Sequence, residues 1–262
     1  MNFTAGIKAL SRQVFGLGIF LLFWELLAMS GILPADYLPR LSRIASALMD
    51  YLATSDFYFH FGLTMRRMVL GFLMAVALSL SIAILTGRYA IIRKMLSPLV
   101  IMLRALPPPA LVPLLVFFLG IGTALFNFVV VFGCMWPVYI NATNALSTAE
   151  PVQVQTARSF GYTPWEILLR VRLPAAVPEI MTGVRQSAAI ALLATVATEM
   201  LVGDKGLGYL LFNAGFSLLI PQMYALIFVV GVMGMIINPV LTLIYRLIAD
   251  WQIQWSAIGD VS

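Results

Sequence analysis

Long apolar runs alternate with short polar joints along this chain. The runs cover approximately residues 14–33, 68–86, 96–119, 124–141, 180–202 and 223–247. A helix of roughly 20 apolar residues is enough to cross the ~30 Å hydrocarbon core of a bilayer. The pattern therefore predicts six membrane-spanning helices. Gly120-Ile121-Gly122 supplies a turn between the third and fourth runs, whose combined length is about twice one crossing. Between the first two runs, Leu33-Pro34-Ala35-Asp36-Tyr37-Leu38-Pro39 is rich in turn residues, and Ile44, Leu48, Tyr51 and Leu52 follow at helical spacing. An amphipathic helix is expected there, capped by Ser42 and lying flat at the external membrane surface.

Composition agrees with this pattern. With 61% hydrophobic and 10% charged residues the chain is too apolar for a soluble domain, in which about a quarter of residues are charged. The 16 Lys and Arg residues set the orientation, because cytoplasmic loops retain them in excess. With the N-terminus inside, Lys8, Arg12, Arg88, Arg93, Lys94, Arg158, Arg170, Arg172, Arg185 and Arg246 face the cytoplasm. Arg40, Arg43, Arg66, Arg67 and Lys205 lie outside and Arg104 lies at membrane depth, so ten cations against five put both termini in the cytoplasm. The net charge of +5 follows from that topology and does not point to nucleic acid. The first run has a basic flank and a Leu-rich middle, but its length and the lack of a small-residue cleavage site predict a retained helix. The one cysteine, Cys134, excludes an internal disulfide and a cysteine-cluster metal site, and reads as a small apolar filler.

The polar joint over 155–174 is the most informative. Gly161 suits the left-handed geometry that ends one short helix, Thr163-Pro164-Trp165-Glu166 reads as a capping box opening a second, and Pro174 is expected to help stop that second helix. Ala157, Gly161 four residues on, then nine residues and Val171-Arg172-Leu173-Pro174 resemble the cytoplasmic signature loop of permeases of type I ATP-binding-cassette importers. Those permeases usually begin the motif with Glu-Ala-Ala, where this chain has Gln155-Thr156-Ala157. The resemblance implies that the loop is a coupling helix seated on a separate ATPase subunit. Gln155, Ala157, Gly161, Trp165, Leu173 and Pro174 are its candidate coupling residues.

The third run contains Arg104-Ala105-Leu106-Pro107-Pro108-Pro109-Ala110-Leu111-Val112-Pro113-Leu114, and four prolines cannot sit in an unbroken helix. A break at membrane depth is expected to face the bundle interior, either for packing alone or to line a path. Arg104, Pro107, Ala110, Pro113 and Leu114, with the Gly120-Ile121-Gly122 exit, are similar to the nitrate, sulfonate and taurine branch of the permease family. Glu199-Met200-Leu201 followed by Gly206-Leu207-Gly208 is a further match. The resemblance implies an all-α, six-span permease of the type I importer fold. It also implies a homodimer in the bilayer, an ABC ATPase subunit below, an extracytoplasmic solute-binding protein above, and a bacterial inner-membrane location. The corresponding domains are 1–57 (tail, first span and external helix), a permease core over 58–250 with its coupling loop at 150–175, and a cytoplasmic tail over 251–262.

Three charges fall within runs. Glu25 is expected to contact another helix, and Glu199 to pair with Arg104 across the bundle or with Lys205 at the outer end. Two placements are open for Arg104: in the path, where a guanidinium favours an oxyanion, or snorkelling to the surface. With Pro107 and Glu199 it makes up the translocation-path candidates. An enzyme lacks its residues here. The sole histidine, His60, lies in an aromatic stretch and reads as an interfacial side chain, and Gly203-Asp204-Lys205-Gly206-Leu207-Gly208 lacks the phosphate-loop arrangement and reads as a turn. No cofactor or metal is expected, and hydrolysis must come from another polypeptide. A carrier of thiamine-precursor pyrimidines or another small organic solute is the alternative within the family. An ion-driven secondary transporter is the alternative outside it.

Overall fold

The computed structural model describes residues 3–32, 34, 37–148 and 151–248, all helix or connection with no strand among them. The helices are α1 (Phe3–Met29), α2 (Leu41–Leu52), α3 (Ser55–Arg88), α4 (Ala90–Leu103), α5 (Val112–Leu119), α6 (Thr123–Ser147), α7 (Pro151–Ser159), α8 (Pro164–Ile167), α9 (Leu173–Val202), α10 (Leu207–Phe216) and α11 (Ile220–Ile248). The tail expected over 251–262, and Leu33, Ala35 and Asp36 of the turn-rich segment, lie outside the described residues.

Among the described residues four helices are long and apolar enough to cross a membrane: Ser55–Arg88, Thr123–Ser147, Pro164–Val202 and Ile220–Leu247. Ala90–Leu103 and Pro108–Leu119 pass the same test only together and meet at 86°, the geometry of a broken span or a re-entrant loop. The first expected span contributes a shorter apolar segment, Gly18–Met29. The break has the cause read from the sequence: α4 stops as the prolines begin, Pro107 is extended, and Pro108–Leu111 forms a 3-10 turn before α5.

The chain divides into two compact units. In the unit of Met1–Phe59 and Leu210–Val230, the start of α2 is held from α1. The Trp24 indole N–H donates to the Pro39 carbonyl at 3.1 Å, and the Leu41 N–H donates to Glu25 Oε2 at 2.8 Å. Ser42 is therefore not the cap; Arg40 occupies that position without a side-chain bond, and the Glu25 carboxylate takes an otherwise orphaned amide at the positive end of the helix. Trp24 also meets Tyr224 edge-on at 5.4 Å.

In the unit of His60–Tyr209 and Gly231–Ser262, α6 packs along α9. Their interface is built from small side chains, with Ala142, Ala176, Ser187, Ala188 and Ala191 all buried. Close backbone approach of this kind is how helices associate in lipid, where no hydrophobic drive separates helix from solvent. Cys134 fits this role: fully buried, it donates to the Ser187 carbonyl at 3.3 Å while the Ser187 hydroxyl donates to the Cys134 carbonyl.

Candidate functional site

The joint between α6 and α9 folds as a helical hairpin. At the end of α7 the Gly161 N–H donates to the Arg158 carbonyl at 2.9 Å and the Tyr162 N–H to the Ala157 carbonyl at 3.1 Å. These two bonds define a Schellman stop, and Gly161 sits at its left-handed position with φ +80°. The capping box then opens α8: the Glu166 N–H donates to Thr163 Oγ1 at 3.3 Å and the Thr163 N–H donates to Glu166 Oε2 at 2.9 Å. Arg170 lies 3.9 Å from the other carboxylate oxygen. Val154, Ala157 and Ile167 close the inside of the hairpin, with Val171 packed against them.

Pro174 does not stop the second helix. α8 runs through a π turn, Leu168–Arg172, straight into α9, giving one span over Pro164–Val202. A proline at 174 has no N–H to donate and would crowd the Arg170 carbonyl in a regular helix. The π turn, in which the Leu173 N–H reaches the Leu168 carbonyl, widens the backbone around Arg170 and absorbs it.

The outer surface of the hairpin carries large apolar side chains. Phe160 is 79% exposed and Trp165 41%, the latter edge-on to Tyr89 with ring centroids 6.4 Å apart. Gln155 is exposed, and Gly161 has open space where a side chain would project. Ala157 is turned inward, while Leu173 and Pro174 are half-buried at the base. The sequence does not mark Phe160, because an aromatic beside a glycine does not reveal which way it faces.

Arg104 lines a second feature, a cavity of about 330 Å³ between α4 and α6. Arg93 and Lys94 share it, with Tyr139, Thr143 and Asn144 providing polar atoms opposite, and among the described residues no carboxylate lines it. Pro107 lies at the break, three residues after Arg104.

Glu199 belongs to neither. Completely buried, it pairs with Arg67 at 2.9 Å, not with Arg104, and also accepts from Thr64 Oγ1 at 2.8 Å and the Gly208 N–H at 3.1 Å. Arg67 additionally donates to the Lys205 carbonyl at 2.8 Å and stacks over Phe126 at 3.7 Å. His60 is buried rather than interfacial, its Nδ1 accepting from the Gly206 N–H at 2.8 Å and its ring stacked on Tyr209. The Gly203–Gly208 turn is thus tied to α3 and α9. Glu199 serves as the anchor of that turn. Among the described residues no cluster of His, Cys, Asp and Glu could hold a metal ion.

Residues 67–252 match the family described as binding-protein-dependent transport system inner membrane component. The chain belongs to this family. It is 26% identical over 251 residues to the taurine transport system permease protein TauC of Escherichia coli, covering 92% of this chain and 91% of that one. To the nitrate import permease protein NrtB of Synechococcus elongatus it is 28% identical over 258 residues, covering 93% and 91%. In fold it is similar to a chain of the MetNI methionine ABC transporter in an inward-facing conformation, with a TM-score of 0.57 and 17% identity, over 80% of this chain and 97% of that one. The protein is therefore a multi-pass inner-membrane permease subunit of an ATP-driven importer, and not an enzyme. An ATPase and a binding protein are its partners by family.

Proposed function

We propose that this permease imports a small oxyanion of the sulfonate, taurine or nitrate kind, and that the 151–174 hairpin is its seat for the ATPase. The observation that carries the coupling half is the hairpin itself: a stop and a cap rigidly fix a turn that presents Phe160 and Trp165 outward between two spans. Exposed aromatics on a polar joint suit insertion into a partner's groove. The excess of Lys and Arg on one side supports an orientation with both termini and this hairpin in the cytoplasm.

In this reading two copies pair about a two-fold axis, each on one ATPase. Closure of the ATPases on ATP draws the two hairpins together, and because α8, the π turn and α9 form one continuous span, that displacement reaches the membrane bundle directly. Gln155, Gly161 and Trp165 lie at the contact. Ala157, Leu173 and Pro174 hold the hairpin and its return into the bundle.

Support for an anionic cargo comes from the names of the relatives together with the cavity of Arg93, Lys94 and Arg104, three cations facing neutral hydrogen-bonding groups and, among the described residues, no acid. Uptake into proteoliposomes by the assembled transporter tests it. Arg104→Gln should slow uptake of taurine or nitrate at least about tenfold, the effect of losing roughly 1.4 kcal/mol at one charged contact. Unchanged uptake of an oxyanion by that variant would remove Arg104 from the path.

A further inference from the structure

Beneath the hairpin lies a separate cavity of about 190 Å³, lined by Arg88, Arg158 and Arg172 with Gly87, Val154, Pro164, Ile167 and Leu168. The arginines come from three elements: the last turn of α3, the last turn of α7 and the π turn. Two of them are incompletely satisfied. The Nε atoms of Arg88 and Arg172 are buried with no hydrogen-bond partner among the described residues, although Arg88 stacks over Tyr89 and Arg172 donates through Nη1 to the Leu146 carbonyl at 3.3 Å. Among the described residues no acidic side chain lines the cavity, and the hairpin's Glu166 is engaged by Thr163 and Arg170.

Three arginines line this one small space, so their like charges repel, and buried N–H groups without acceptors add a desolvation cost. An anion between them reverses both terms. The volume is below the roughly 300 Å³ at which pockets for drug-sized ligands begin, which suits a single oxyanion group. Planar guanidinium forks arriving from several sides match an anion with several acceptor oxygens.

We propose that this cavity binds a phosphate group. It lies where the spans Ser55–Arg88 and Pro164–Val202 both end, the level at which bilayer phosphates stand, so an acidic phospholipid headgroup and free phosphate are the two sources. Bound there, the group ties α3 to both arms of the hairpin and stiffens the hairpin against α3. This inference is independent of cargo and ATPase.

Thermal unfolding of the full chain tests it. In neutral detergent, inorganic phosphate is compared with chloride at matched ionic strength. In nanodiscs, phosphatidylcholine alone is compared with a mixture containing phosphatidylglycerol. At a roughly hundredfold excess over its dissociation constant, a ligand of the folded state should raise the midpoint by about 5 °C or more. That rise is expected with at least one phosphate source, which identifies it. It should vanish in Arg88→Gln and in the exposed-site variant Arg158→Gln, yet persist in Arg246→Gln at the end of α11. If Arg88→Gln does not fold, Arg158→Gln decides. No rise with either source, or a rise undiminished in Arg158→Gln, overturns the proposal.

Discussion

Glu199 shows how a single buried carboxylate organises its surroundings. Thr64, Arg67 and the Gly208 amide donate to it, and Thr64 Oγ1 in turn accepts from the Leu207 N–H at 2.8 Å. Removing it strands Arg67, which is only 14% exposed, and breaking such a pair costs about 3–5 kcal/mol. Glu199→Ala is therefore expected to lower the thermal midpoint by several degrees, whereas an unchanged midpoint would show that the network contributes no net stability. Gly206→Ala should be similarly harmful. Its φ of +118° disfavours a side chain, and a Cβ there would collide with the Glu199 carboxylate. The sequence announces that a charge inside a span needs a partner. It cannot announce that the partner is Arg67, which is 132 positions away and comes close only once α3 and α9 have packed.

Among the helices, the hairpin was readable because its determinants are local. Gly161 and the Thr163/Glu166 box act over three to five residues, so their spacing alone predicts the geometry found. The π turn was not readable, since a proline at 174 is a stop signal by itself and becomes compatible with a continuous helix only when the preceding backbone widens. The cap of α2 was hidden likewise, because Glu25 reaches it from the preceding helix while Ser42 offers the usual local signal. Thr163→Ala should weaken the cap by about 1 kcal/mol and speed hydrogen exchange of the Glu166 and Ile167 amides without moving the global midpoint. Equal exchange in both proteins would show that the box does not hold α8. Gly161→Asp introduces strain and charge at an outward-facing turn. It should abolish uptake while the chain still reaches the membrane, and wild-type uptake by that variant would remove the turn from the coupling surface.

At the level of the whole protein, hydropathy revealed the apolar spans, because a bilayer imposes a length that composition can be measured against. The 86° break in the third span was readable as a break from its prolines, but its angle and the cavity beside it depend on how α4 and α5 meet α6. A permease without a phosphate-binding loop depends on a second polypeptide for its energy, and the hairpin is where that dependence should be visible. The decisive measurement is co-purification with the ATPase encoded beside this chain, followed by ATP hydrolysis in lipid with and without the neighbouring binding protein. A stable complex whose hydrolysis rises with cargo-loaded binding protein, and is lost in Trp165→Asp, is the expected result. Failure to bind any ATPase, with uptake driven by an ion gradient through this chain alone, would contradict the coupling role of the hairpin.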